Sequence, residues 1–414
     1  MISRRTFVAG SLAALSAPAL VKVADRGVAA TMRPAAATST AATLTVDLMN
    51  NTGSSTVYAY VTGQAIDNGN ALMLLQADGQ TPYYPSSPSS PGSPLAADCS
   101  IPLSASGGSA KSITIPHLAG ARIWFSIGAP LTFTLNPGPA LVEPSVTNPA
   151  DPNINGAWDF AELTYNATQL FANISMVDFV CIPVALSLTD SAGNQQTVPG
   201  LPAGGLDAVC AGLMAQASAD GQGWNKLVVT GNGQNLRALS PTNGIVMNSS
   251  LFSGYYDSYV AQVWQKYASA ALSVDTQASF GTVTGQVTGG ALTFPGVGSF
   301  GQPSAADIFG CNSGPFSPAG LSAEMLAILP RLAAAFNRST LLIDSSQPDG
   351  EDPAHYYADA TTNHYARIVH ATTLDHRGYA FPYDDVAPSG GADQSGAVSS
   401  GSPSLLTITL GPVH

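Results

Sequence analysis

"AWDFAELTYN", residues 157–166, is the stretch whose reading decides the fold. It spends one of only four glutamates in a 414-residue chain on a segment that otherwise has the composition of a β-strand. In a strand, side chains alternate between faces, so Trp158, Phe160, Glu162, Thr164 and Asn166 share one face. That face mixes aromatic, carboxyl, hydroxyl and amide groups. It makes a poor core surface and a good floor for a sugar-binding groove, where rings stack on apolar sugar faces and polar groups hold hydroxyls. The following strand-like run, "ISMVDFVCIPVAL" (174–186), is nearly all apolar except for Asp178, a second carboxylate where burial predicts a hydrophobe.

"ATQLFA" (167–172) can join the two runs as an antiparallel hairpin. Any register that sets Glu162 opposite Asp178, or an even number of residues from it, keeps both on one face. Two carboxyls facing one groove, one a proton donor and the other ionised, are the equipment of glycoside hydrolysis. A directly opposite pair, with β-carbons about 5 Å apart, suits retention, and a two-residue stagger of about 7–8 Å leaves room for the water of an inverting reaction. The bland alternative makes Glu162 a surface charge on an edge strand and Asp178 a hydrogen-bonded buried carboxylate. Pattern alone leaves both readings open.

Outward from this centre, the composition fits a β-rich globular protein: 45% hydrophobic, only 10% charged, with 41 glycines and 30 prolines. The formal charge of −12 disfavours nucleic acid and anionic membrane as partners, since both need a positive surface. At the N-terminus "SRRTFVAGSLAALSAPAL" places Arg4 and Arg5 before an apolar run and small residues, the pattern of a twin-arginine export signal with cleavage after residue 19 or 30. Removing residues 1–30 leaves 10 basic against 25 acidic side chains. A secreted protein with a strongly acidic surface, bound to no membrane once the signal is cut, is the expectation.

Residues 31–42 read as a disordered leader and 43–195 as a β domain, with strands such as "TLTVDLMN", "STVYAYVTG" and "ARIWFSIG". From 196 to 375 helical spacing appears in "LDAVCAGLMAQASA", "SGYYDSYVAQVWQKYASA", "SAEMLAILPRLAAAFNRS" and "NHYARIVHA", with Ser253 and Ser322 as caps and short strands between them. This part reads as mixed α/β. Residues 376–414 return to strand composition, and the last strand is expected to rejoin the first domain. Cys99, Cys181, Cys210 and Cys311 form no CxxC, so export allows one or two disulfides and a large core equally allows buried free thiols.

Other motifs carry less. "GVGSFG" (296–301) satisfies GxGxxG, but Pro295 and Pro303 bracket it, and a loop is the better reading than a dinucleotide site. His364, His370 and His376 lack metal-ligand spacing, so no metal or other cofactor is expected. No GxSxG occurs, which weakens an esterase reading.

Two blocks, "NPGPALVEPSVTNPADPNINGAWDFAELTYNATQLFANISMVDFVCIPVAL" (136–186) and "TNHYARIVHATTLDHRGYAFPYDDVA" (362–387), resemble glycoside hydrolase family 64, secreted bacterial β-1,3-glucanases. The resemblance implies a thaumatin-like architecture, a β-barrel or sandwich domain and a mixed α/β domain flanking a wide groove. It implies inverting endo-hydrolysis of laminarin-like or curdlan-like glucan by a monomer, with Glu162 as general acid and Asp178 as general base. It also implies substrate contacts at Thr164, Asn166, Asp151, Asp384 and Asp385, and at Phe171, where relatives are expected to carry tryptophan; Trp158 joins them as a stacking residue. Turn chemistry after Pro382 is the bland reading of Asp384 and Asp385. A thaumatin-like protein that binds β-glucan without cutting it is the competing function, and a hydrolase of another neutral polysaccharide is a third.

Overall fold

The computed structural model describes residues 39–414, which divide into two units. The first holds residues up to 174, then 181–203 and 397–414; the second holds 175–180 and 204–396. The chain thus leaves the first unit for six residues, returns, and leaves again. The change of texture falls at 204 and the return at 397, where the sequence reading placed them at 196 and 376. The export signal lies outside the described residues. Of the expected leader, Thr40 is buried; its N–H donates to Ala167 O and its hydroxyl to Asn166 O, so the fold takes hold before residue 43.

In the first unit, a five-stranded sheet runs in the order Gln195–Val198, β7 (Val184–Asp190), β9 (Pro403–Leu410), β1 (Thr43–Asn50) and β3 (Lys111–Pro116). β9 pairs parallel with β1, so the last strand does rejoin the first. Strict alternation in these strands puts their apolar residues in register: Leu188, Leu406, Val46 and Ile113 form one buried row across four strands. Each such side chain contributes about 1.5–3 kcal/mol on leaving water.

The second sheet of this unit has eight strands, including β8 (Ala397–Ser400), β6 (Leu170–Ile174), β5 (Ala157–Tyr165), β4 (Leu118–Ile127) and β2 (Val57–Ala65), in that order. One face packs apolar pairs into the core: Ala59 pairs with Phe125, Val61 with Ile123, and Ile123 with Ala161, all buried. Tyr165, at the end of β5, donates its hydroxyl to Ala41 O just before β1, which ties the two sheets together.

The β5–β6 hairpin exists as the sequence implied, but its register differs. Glu162 stands opposite Asn173, Thr164 opposite Phe171 and Tyr165 opposite Leu170. β6 ends at Ile174, so Asp178 is not in the hairpin at all. The cause is the four-residue loop. Asn166 Oδ1 accepts from the N–H groups of Thr168 and Gln169, and this turn fixes which residues meet.

The second unit carries α1 (Gly205–Asp220), α2 (Pro241–Met247), α3 (Asp257–Tyr267), α4 (Ala323–Arg338) and α5 (His364–Thr372), a shorter helix at Ala305–Gly310, and two small sheets. Ser240, Ser322 and Asn363 cap α2, α4 and α5 by accepting a backbone N–H three residues on. Ser253 is not a cap; Tyr256 precedes the first residue of α3. Part of "GVGSFG" is a strand, Gly298–Phe300, paired antiparallel with Ala291–Phe294, so the motif closes a hairpin instead of forming a loop. All four cysteines are buried, and none is in a disulfide. Among the described residues no helix is long and apolar enough to cross a membrane.

Candidate active site

The other face of the eight-stranded sheet is built from rows across its strands. One row reads Thr62, Arg122, Glu162 and Asn173 from β2 to β6. The next toward the hairpin end is Thr164 and Phe171; on the other side lies Tyr60, Trp124 and Phe160.

The aromatic end of this face is covered by the segment 129–156. Phe133 packs on Tyr60 and Trp124 at 5.2 and 5.7 Å between ring centroids, and Tyr60 accepts Leu131 N–H on its hydroxyl. Trp158 lies 1% exposed beneath this cover and donates its indole N–H to Asn153 O at 2.9 Å. The cover stops short of the hairpin end. Glu162, Thr164 and Phe171 are each only half-buried.

Glu162 is held from one side. Arg122 Nε donates to Glu162 Oε1 at 3.1 Å, and Arg122 Nη1 donates to Glu143 Oε2 at 2.9 Å. The guanidinium lies over the Phe160 ring, 4.4 Å from its centroid. Neither Arg122 nor Glu143 was singled out by the sequence reading. The available signal was a charged residue inside the apolar strand "ARIWFSIG", the same kind of intrusion that drew attention to Glu162.

Several expected ligand contacts are structural groups instead. Trp158 belongs to the core, so its ring offers no stacking surface. Asp151 is 8% exposed, and its carboxylate accepts the N–H groups of Asn153 and Ser145, stapling the covering segment. Asn166 commits its side-chain oxygen to the hairpin turn. A further carboxylate on β5, Asp159, is buried and accepts the N–H groups of Cys181 and Ile182, fixing the point where the chain re-enters the first unit.

In the second unit Asp178 is half-buried on the short segment 175–180. Its carbonyl accepts from Ser240 N–H at 3.0 Å and from Asn243 Nδ2 at 2.8 Å, at the start of α2. Asp384 is 1% exposed and fully engaged by His370, Arg338 and the N–H of Ala380. It is a buried charge partner and has no surface for a sugar. Asp385, its neighbour, is half-buried and accepts the Tyr379 hydroxyl at 2.9 Å. Burial pushes the Asp385 carboxyl up, against the opposing Tyr379 hydrogen bond and Arg331 charge.

The family model for glycoside hydrolase family 64, described as Beta-1,3-glucanase, matches residues 42–410. The chain belongs to glycoside hydrolase family 64. Two relatives, each named glucan endo-1,3-beta-glucosidase, come from Cellulosimicrobium cellulans and Arthrobacter sp. (strain YCWD3). Each is 32% identical over 311 residues, covering 73% of this chain and 54% of the relative. The chain spans about half the length of these curated relatives. Among solved structures, a laminaripentaose-producing beta-1,3-glucanase in complex with laminaritetraose superposes with a TM-score of 0.80 at 33% identity, covering 90% of this chain and 100% of the other. A family 64 beta-1,3-glucanase domain from Clostridium beijerinckii shares the fold, with a TM-score of 0.70 at 22% identity over 92% of this chain and 100% of that one. Membership in family 64 agrees with the two sequence blocks that resembled it, and with the mainly β architecture carrying some helices.

Proposed function

We propose that this chain is a secreted endo-acting β-1,3-glucanase that hydrolyses laminarin-like or curdlan-like glucans with inversion. The observation that carries the reading is Glu162: in a family 64 chain, this carboxyl stands at the uncovered end of a sheet face, beside a hydroxyl and an aromatic ring. Glu162 acts as general acid, giving its proton to the glycosidic oxygen as the bond to the anomeric carbon breaks. Asp178 acts as general base, taking a proton from the water that forms the new bond to that carbon. Attack from the opposite face turns the β-linkage into an α-configured reducing end. Thr164, Phe171 and Asp385 contact the glucan, Phe171 by stacking and Asp385 by bonding hydroxyls. The roles of Glu162 and Asp178 rest on the family resemblance of the segment 136–186. The paired arginines at Arg4 and Arg5 support export by the twin-arginine route.

The deciding measurement is the release of reducing ends from laminarin by the parent and by Glu162→Gln, which keeps the shape and removes the acid. Loss of a general acid is expected to lower the rate by about 10²–10⁴-fold. A parent that binds laminarin and releases nothing would overturn the catalytic reading in favour of a glucan-binding protein.

A further inference from the structure

Arg122 is half-buried among two aromatic rings and two carboxyls. Its guanidinium plane is fixed by the Phe160 ring at 4.4 Å and the Trp124 ring at 5.3 Å, both on the same sheet face. Its nitrogens are divided between two carboxyls from different parts of the first unit, Glu162 on β5 and Glu143 in the covering segment. All three side chains are partly shielded, with 27%, 30% and 33% exposure for Arg122, Glu162 and Glu143. Arg122 Nε bonds Oε1 of Glu162, which ties that carboxyl oxygen to the plane of the guanidinium.

An arginine presents a planar fork of donors, so it can bond two carboxyls at once. Glu143 takes one nitrogen of that fork and Glu162 another.

We propose that Arg122 is a positioning residue for the reaction: clamped between Glu143 and two aromatic rings, it fixes the direction in which Glu162 presents its proton to the glycosidic oxygen. This rests on the assignment of Glu162 as the general acid. A misdirected acid should matter only where the leaving group needs a proton. The sugar alkoxide released from laminarin needs one; the phenoxide released from a dinitrophenyl laminari-oligosaccharide does not.

The test compares Arg122→Ala, Arg122→Lys and Glu162→Gln with the parent on both substrates. For Arg122→Ala, kcat on laminarin is expected to fall about 100-fold through misplacement of the acid, with KM changed less than about threefold. On the dinitrophenyl glycoside, kcat should stay within about threefold of the parent. Arg122→Lys should fall between, since an ammonium can bond one carboxyl but lacks the planar fork that stacks and spans two. If Arg122→Ala does not fold, the same comparison is read on Arg122→Lys. Equal losses on the two substrates, a change confined to KM, or full activity in a folded variant would overturn the proposal. Glu162→Gln separates the two readings: if that variant cleaves laminarin normally, the acid assignment itself falls, and if only it shows the leaving-group dependence, Arg122 alone is wrongly placed.

Discussion

His370 Nε2 lies 2.8 Å from Asp384 Oδ2, while Arg338, at the end of α4, reaches Oδ1 of the same carboxyl at 3.2 Å. One buried carboxylate thus serves two bases. Burial alone would lower the readiness of His370 to take a proton, but the charge and hydrogen bond of Asp384 outweigh it, and the net shift is upward.

That shift has a signed consequence for stability. A histidine whose folded value is raised stabilises the fold fully below its unfolded value, about 6.5, and the contribution disappears as pH rises through the folded value. The difference in thermal midpoint between the parent and His370→Gln should therefore be largest below the unfolded value and shrink as pH rises through the higher folded value. A difference that grows with pH would show that the imidazole is neutral in the fold.

Arg338 is wholly buried and lies between Asp384 and Glu351, with Nη1 3.7 Å from Glu351 Oε2 and the guanidinium 4.4 Å from the Tyr356 ring centroid. Arg338→Met would leave the buried Glu351 carboxylate without its counter-charge and Asp384 with His370 alone. A destabilisation of about 3–5 kcal/mol is expected, measurable as a lower urea midpoint or loss of soluble protein. Wild-type stability in this variant would show that neither carboxylate depends on the arginine.

Trp158 and Phe171 should separate cleanly. Trp158→Ala removes a buried indole and its bond to Asn153 O, and should cost about 3–5 kcal/mol of stability. Phe171→Ala, at a half-buried position, should leave the urea midpoint close to that of the parent and weaken laminarin binding about tenfold, equivalent to about 1.4 kcal/mol of lost stacking. Titration calorimetry on a slow variant reads the second effect. Unchanged binding would remove Phe171 from the glucan site.

The cysteines should be silent until the chain unfolds. Burial pushes the Cys99 thiol up to about 11 and the Cys210 thiol up to about 12, so little thiolate exists to react at neutral pH. A thiol reagent should find none in the native protein and all four in denaturant, and a reductant should not change the melting temperature. Fewer than four thiols after unfolding would reveal a disulfide.

What the sequence disclosed follows from how local each determinant is. Alternation in β1 and β9, the helices at 205–220 and 323–338, and the Ser322 cap depend on neighbours in sequence, and all are visible in the residues themselves. Alternation likewise puts Glu162 and Thr164 on one face. The hairpin register was not readable, because it hangs on one turn: Asn166 bonding two N–H groups moves Asn173, not Asp178, opposite Glu162. Trp158 looked like a stacking ring because strand alternation does not show that the connection just before it, 129–156, folds back over its face. Asp384 looked like a turn or ligand residue because its partners, His370 and Arg338, lie 14 and 46 positions away. Arg122 escaped notice because only the pairing of β4 with β5 puts it beside Glu162.

The place of β9 between β7 and β1 has a consequence for biogenesis. The strand occupies the middle of its sheet, with partners beginning at residue 43 on one side and at residue 184 on the other. A ribosome must therefore reach residue 410 before that sheet has its centre, and everything made earlier waits with two unpaired edges. Trimming the last dozen residues would remove a keystone, not a fringe.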